Sequence, residues 1–380
     1  MTRRRNPFRY GGPVGIDDLI DRDEEAATLL AAADEGNNAR LAAPRRYGKT
    51  SLLRRVLGEA AADQWATVYV DFFGVVTIAD VTERIERAYG ASLTGPTARW
   101  FEGLRRTLRP SLKAGAPGAA TAEVHLDPVT APLLERLELP RKVFDKWGTR
   151  VLVVFDEFQE VLTAQANADA VIRSVIQHHG NAAGYIFAGS HVGMMNELFT
   201  DRRRAFYSQA LPVALPPLPP QATADFLEDR FTGTGKSLGT ALGTLLDATA
   251  GHPQRTMLLA HHVWDRTLVG GAADEATVSA ALTQVLSELG DEFRALWSGL
   301  PTAQRRVLTL VGEETTSPFS RNAPTDRGRG TRDALDALLE RADITSDPTS
   351  VSRYRVVDPM LAAWLRAGRS DHSTFSQRGP

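Results

Sequence analysis

The chain has 380 residues, 43% hydrophobic and 24% charged, with 44 basic against 46 acidic side chains and no cysteine. A chain of this kind buries a sizeable core, which excludes wholesale disorder and a stapled mini-protein; disulfides, thiolate nucleophiles and cysteine-bound zinc drop out together. The net charge of −2 excludes a bulk polyanion binder but leaves room for a local basic patch.

Behind the basic start Met1-Thr2-Arg3-Arg4-Arg5 there is no apolar stretch, and apolar runs such as Val151–Phe155 fall far short of a membrane span. A cytoplasmic protein is expected. Residues 17–35 read as a helix with Leu19, Ile20, Ala26, Leu29 and Leu30 as its apolar stripe. A short strand at 39–43 runs into the loop Pro44-Arg45-Arg46-Tyr47-Gly48, and a helix follows from Lys49 to about Ala62. A strand at 66–71 and a helix over 80–108 come next. The Pro/Gly/Ala-rich stretch between Arg109 and Asp127 reads as a hairpin. Beyond it the pattern gives a helix at 132–147, the fully apolar strand 151–155, a helix near 169–179, a strand at 185–189 and another at 211–215. This alternation predicts a parallel α/β sheet. The cluster Pro216-Pro217-Leu218-Pro219-Pro220 suits a domain boundary, since proline continues neither element. After it the chain reads as helical to about residue 298, then helix, loop, helix, a short hairpin near 347–350, and a helix at 359–366.

Only five of the 44 basic residues are lysine, and two of them stand in Gly-Lys-Ser/Thr: Gly48-Lys49-Thr50 and Gly235-Lys236-Ser237. A phosphate-binding loop carries a first glycine five residues upstream of the second, and here those positions are Ala43 and Arg230. Context decides between the copies. A strand precedes the first and a helix opens at its lysine, which aims a helix N-terminus at phosphate. The second lies between two helices and reads as a solvated loop. Lys49 is therefore the expected phosphate lysine. Downstream, the strand 151–155 ends in Asp156-Glu157, a pair suited to holding a metal's water shell and to activating an attacking water. Ser190, at the end of the next strand, is read either as a group beside the γ-phosphate or as a helix N-cap.

Five segments in this order resemble the AAA+-type STAND ATPases, specifically the archaeal/bacterial "archaeal ATPase" group with a C-terminal winged helix. They are Pro44–Leu52, Val154–Gln159, Ile186–Ser190, Gly251-His252-Pro253 and Tyr354–Pro359, and the likeness spans about residues 6–366. It implies a five-stranded P-loop core in the order 5-1-4-3-2 (1–218), an all-α lid (219–292), a winged-helix domain (293–370) and a disordered tail (371–380). It also implies ATP or ADP with Mg²⁺ as cofactors. Pro44, Arg45, Arg46, Tyr47, Gly48, Lys49, Thr50 and Ser51 would bind nucleotide, Thr50 and Asp156 the metal. Lys49, Glu157 and Ser190 would serve catalysis, and His252 and Pro253 would lie near the nucleotide. Asn6-Pro7-Phe8 matches a stretch that closes over the base, and Arg22-Asp23-Glu24-Glu25 the charged run of the first helix. Arg255 is read either as a second sensor or as a solvent-facing residue. Arg202-Arg203-Arg204 are candidates for an arginine acting in trans.

The expected function is an ATP-hydrolysing switch, slow as a lone protomer, whose partners are copies of itself or a separate effector protein. The rival is a DNA-binding AAA+ ATPase that sets its winged helix on duplex. Arg332 and Arg341 of the second winged-helix helix stand among Asp333, Asp336 and Glu340, a mixture that disfavours phosphate contact. Arg321, Arg327 and Arg329 before it, and Arg105, Arg106, Arg109 and Lys113 earlier, are the other basic candidates. A third reading is a scaffold that binds nucleotide without hydrolysing it. His178-His179 and His261-His262 read as ordinary helix histidines, because adjacent helical residues diverge too far to chelate together.

Overall fold

A computed structural model describes residues 5–93, 99–100, 102, 130–314, 316–320 and 329–368. The expected hairpin at 109–127, with Arg105, Arg106, Arg109 and Lys113, lies outside the described residues, as do Arg321, Arg327 and the 371–380 tail. The described residues form two compact units. One comprises Asp23–Ala43 and Leu52–Leu215; the other collects the residues before Asp23, Pro44–Ser51 and those from Pro216 onward.

The first unit is built on a parallel sheet of five strands: β1 (Ala39–Ala42), β2 (Ala66–Asp71), β3 (Val151–Asp156), β4 (Ala183–Gly189) and β5 (Leu211–Val213). Their spatial order is β2-β3-β4-β1-β5, the expected order read from the other edge. All four pairings are parallel, with Leu41 opposite Ala188 and Asp71 opposite Asp156. Every residue of β3 and β4 is buried, which explains why these strands are runs of apolar residues rather than alternating ones. Phe158, Phe187, Phe199 and Phe206 pack beneath the carboxyl ends of β3 and β4, with Phe158 and Phe187 centroids 4.7 Å apart. Each buried phenyl ring contributes about 1.5–3 kcal/mol. Phe158 thereby anchors the turn that carries Glu157.

The helices of this unit are α1 (Asp23–Asp34), α2 from Leu52 onward (the whole helix is Lys49–Ala62 and follows the phosphate-loop candidate), α3 (Ile78–Ser92), α4 (Ala131–Leu137), α5 (Leu139–Trp147), α6 (Val161–Ala164), α7 (Ala168–Ile176) and α8 (Val192–Thr200). Three differ from expectation. The helix expected from residue 17 starts at Asp23, because Asp21 and Arg22 hold left-handed backbones (φ 58° and 84°) that no helix continues through. The expected helix over 80–108 closes at Ser92, where Leu93 turns extended. The single helix expected over 132–147 breaks at Glu138: Pro140 has no N–H for the carbonyl of Arg136, and its ring crowds that carbonyl.

The second unit is helical: α9 (Pro220–Gly233), α10 (Ala241–Thr249), α11 (Pro253–Arg266), α12 (Glu275–Gly299), α13 (Thr302–Glu313), α14 (Arg329–Glu340) and α15 (Pro359–Arg366). Between α14 and α15 lie β6 (Ile344–Ser346) and β7 (Tyr354–Val356), an antiparallel pair. The order α13, α14, hairpin, α15 is that of a winged helix. The 292/293 boundary expected between lid and winged helix falls inside α12, which runs unbroken through it. One apolar core, with Phe8, Phe231, Phe293 and Trp364, serves both α9–α12 and the elements that follow them. No helix among the described residues is long and apolar enough to cross a membrane.

Candidate functional site

The strands β1, β3 and β4 all end at one edge of the sheet, and each delivers a polar segment there. The chain leaves β1 through Ala43, whose N–H still bonds to the carbonyl of Gly189 at 3.2 Å. Ala43 is not among the residues with positive φ, so alanine costs nothing where the motif has glycine. In the loop, Arg46 (φ 67°) and Gly48 (φ 86°) adopt left-handed backbones, and α2 begins at Lys49. Alternating handedness of this kind turns successive N–H groups inward into an anion-binding concavity. Lys49 and Ser51 are buried, Thr50 is half-buried, and Arg45 is exposed. The Ser51 hydroxyl accepts the N–H of Val14 at 3.0 Å.

At the end of β3, Asp156 is buried and accepts the phenol of Tyr69 from β2. Its other oxygen accepts the N–H of Glu157 at 2.9 Å. Glu157 itself is left-handed (φ 51°, ψ 42°), a conformation that costs a non-glycine residue about 1–2 kcal/mol. Its Oε2 accepts three hydrogen bonds, from Ser190 Oγ (2.7 Å), Ser190 N (3.1 Å) and Gln159 Nε2 (2.7 Å). Ser190 is therefore not the helix cap that was its alternative reading. The cap of α8 is His191, whose Nδ1 accepts the N–H of Met194.

In the helical unit, the loop residues meet His252, Glu292 and Arg355. Tyr47 stacks edge-on against His252, ring centroids 4.9 Å apart, and Arg46 forms a 2.6 Å ion pair with Glu292 of α12. Burial pushes the Tyr47 phenol up, while Arg355 of β7 beside it pulls the other way. Gly251 precedes His252 at φ 71°, and a Cβ there would stand 2.6 Å from the carbonyl of Leu218. That contact explains the glycine of Gly251-His252-Pro253. His252 caps α11 by accepting the N–H of Arg255, with Pro253 at the first helical position.

Arg255 does not face solvent. Only 1% of it is exposed, and its guanidinium binds Asp358, Nε lying 3.1 and 3.0 Å from the two carboxylate oxygens, with Glu292 3.8 Å away.

Burial lowers the pKa of His252 to about 4, with Asp358 opposing and Arg255 reinforcing the shift. The unfolded histidine titrates near 6.5. Between those values the unfolded chain takes up a proton that the folded chain refuses, so stability is full above pH 6.5 and falls on acidification toward pH 4. The expected loss is about 3 kcal/mol. Urea midpoints compared at pH 7 and pH 4 check this; His252→Asn keeps a capping acceptor and should flatten the slope. An unchanged slope in that variant refutes the assignment.

Asn6-Pro7-Phe8 is pinned to α11: Asn6 donates to the His261 carbonyl at 3.0 Å, and Phe8 packs on Phe231. Arg22 is buried and donates to the Pro216 carbonyl at 2.6 Å, whereas Asp23 pairs with Arg55.

The second Gly-Lys-Ser is not the solvated loop it was expected to be. Lys236 is buried, lies over the Trp264 ring and donates to the Trp264 carbonyl at 2.6 Å. The histidines also have structural partners: His179 meets Tyr185, His261 the Phe8 carbonyl and His262 Glu288. Among the described residues no group of three or more acidic or histidine side chains is arranged to hold a metal. Arg203 and Arg204 pair with Asp201 and Glu197. On α14, Arg332 is exposed among exposed Asp333, Asp336 and Glu340, and Arg341 is paired with Asp343. Sequence reasoning missed Tyr69, Glu292 and Asp358 as partners of the candidate residues. It gave Gln159 no role, although that residue sits two positions after Glu157.

No family model matches the chain, and no curated protein matches it. Among solved structures it is similar to a Walker-type ATPase of Pyrococcus abyssi, with a TM-score of 0.68 and 18% identity over 94% of this chain and 99% of that one. It is also similar to the ORC2 protein of Aeropyrum pernix in its ADPNP–ADP complexes (TM-score 0.57, 17% identity, 93% of this chain and 94% of that one). The shared feature is the fold: an AAA+-type P-loop core with helical additions and a C-terminal winged helix.

Proposed function

We propose that this chain binds ATP with Mg²⁺ and hydrolyses it, as a STAND-type switch whose nucleotide state sets the position of lid and winged helix. One observation carries the reading: β1, β3 and β4 end at a single edge of the parallel sheet, where β3 runs into Asp156-Glu157 and β4 into Ser190, and β1 continues in sequence to Gly48-Lys49-Thr50. In open α/β sheets ligands bind at the carboxyl ends of strands. Lys49 and the N–H groups at the start of α2 hold the β- and γ-phosphates. Asp156 and Thr50 would hold Mg²⁺, which takes one or two hard oxygens from protein and the rest from phosphate and water, and the ion would neutralise charge on the phosphoryl group. Glu157 accepts the proton of the attacking water, and Ser190 meets the γ-phosphate.

The switch part is supported by Arg46–Glu292, Tyr47–His252 and Arg255–Asp358. A ligand that rearranges the loop alters the first two contacts directly, and Glu292 passes the change toward Arg255. Assembly with further copies, or with a separate effector protein, supplies an arginine in trans and raises turnover. The acidic exposed face of α14 favours a protein partner over duplex DNA. Lys49→Ala tests the reading. The Kd for Mg·ATP should rise about ten- to a hundredfold at unchanged melting temperature. Equal binding by variant and wild type rules out the loop as the phosphate site.

A further inference from the structure

Gln159 is 2% exposed and lies in the single turn Phe158–Glu160 that follows Glu157. Its Nε2 donates to Glu157 Oε2, and only this orientation of the carboxamide makes the bond. Its Oε1 is buried without a hydrogen-bond partner. An orphaned buried acceptor is costly, and methionine would fill the same space without one if packing were the only demand. The fold also makes room for this group. A Cβ on Gly189 would stand 2.2 Å from Gln159 Oε1 and 2.6 Å from Met195 Cγ, so only glycine leaves space for the amide. The orphaned oxygen, the glycine and the left-handed Glu157 share one consequence: they hold an amide donor against one oxygen of one carboxylate.

We infer that Gln159 is a positioning residue for Glu157, fixing Oε2 so that the carboxylate keeps its orientation when the Ser190 hydroxyl turns to another acceptor. The inference rests on the reading of Glu157 as the water-activating group. Ser190 and Gln159 load the same oxygen from different elements, one from the end of β4 and one from the turn after β3. The Ser190 hydroxyl rotates freely about its bond, so its hydrogen bond is exchangeable. The Gln159 amide is buried and packed against Gly189, so its bond persists. Hydrolysis then needs no repositioning of the base as Ser190 changes partner.

The test is steady-state ATP turnover of the full chain as Gln159→Met, with Gln159→Leu as a second variant and melting temperature as the control for folding. Loss of a hydrogen bond to a charged group predicts kcat lower by about ten- to a hundredfold, with KM for Mg·ATP within about twofold of wild type. The melting temperature should not fall, since the orphaned acceptor is gone. In Ser190→Ala, where the amide is the remaining side-chain donor, Gln159→Met should cost more than in wild type. Unchanged kcat in both Gln159 variants overturns the inference. So does a fall in kcat that comes with a raised KM and a lowered melting temperature, because that pattern marks a merely structural residue. Glu157→Gln in the same assay separates the two levels: if it turns over like wild type, the assignment of Glu157 fails, whatever Gln159 does.

Discussion

Glu157→Gln lowers steady-state ATP turnover by about 10²–10⁴-fold, the range that a positioned general base contributes. The substitution keeps the size of the side chain and its carbonyl oxygen, so Ser190 N, Ser190 Oγ and Gln159 still find an acceptor at the Oε2 position. What disappears is the carboxylate proposed to take the proton from water. Binding of Mg·ATP should therefore be retained, and the variant should accumulate in its ATP state. Parallel measurement of kcat and of nucleotide affinity checks both halves. Turnover that survives at the wild-type rate places water activation elsewhere. Loss of binding along with turnover assigns Glu157 to nucleotide binding rather than to catalysis.

Asp358→Ala destabilises the helical unit by about 3–5 kcal/mol, because it strands the Arg255 guanidinium in the interior. Among carboxylates of the described residues Arg255 then keeps Glu292, 3.8 Å away, and its Nη1 already lacks a hydrogen-bond partner. Asp358 has a second duty: it caps α15 by accepting the N–H groups of Met360 and Leu361, at 2.9 and 3.4 Å. Asp358→Asn retains an acceptor for that cap and removes only the charge, so it should fall between alanine and wild type. The pair Arg255→Met with Asp358→Asn should recover much of the loss, since a buried apolar replacement avoids desolvating the charge. Urea midpoints of the single and double variants form the cycle. An Asp358→Ala chain as stable as wild type would mean that Arg255 finds another partner. If the Arg255–Asp358 pair is part of the proposed switch, Asp358→Asn should change nucleotide affinity although Asp358 caps α15.

Much of the scaffold was legible in the chain itself, for a local reason. Burial on both faces writes β3 as Val-Leu-Val-Val-Phe, and the spacing of Leu52, Leu53, Val56 and Leu57 marks α2 from Lys49 to Ala62. A window of a dozen residues holds that information. The strand in front of Gly48-Lys49-Thr50 and the helix behind it are local features of the same kind. What local reading misjudged was punctuation, where one backbone angle decides. Asp21 and Arg22 turn left-handed and delay α1, and Pro140 splits the helix expected over 132–147.

The partnerships within the candidate site came only from tertiary structure. Arg255 and Asp358 are 103 residues apart, Arg46 and Glu292 are 246 apart, and Ser190 meets Glu157 across 33. No periodicity relates such positions. Which carboxylate an arginine reaches depends on which helix faces meet and on what burial leaves no water to solvate. For that reason Arg255 read equally well as a solvent-facing residue, and Lys236 as a solvated loop. The sequence alone determined the kinds of element and their order. Folding decided which charges are buried together and which oxygen of Glu157 is held, because desolvation and distance in space, not in sequence, set the strength of a polar contact.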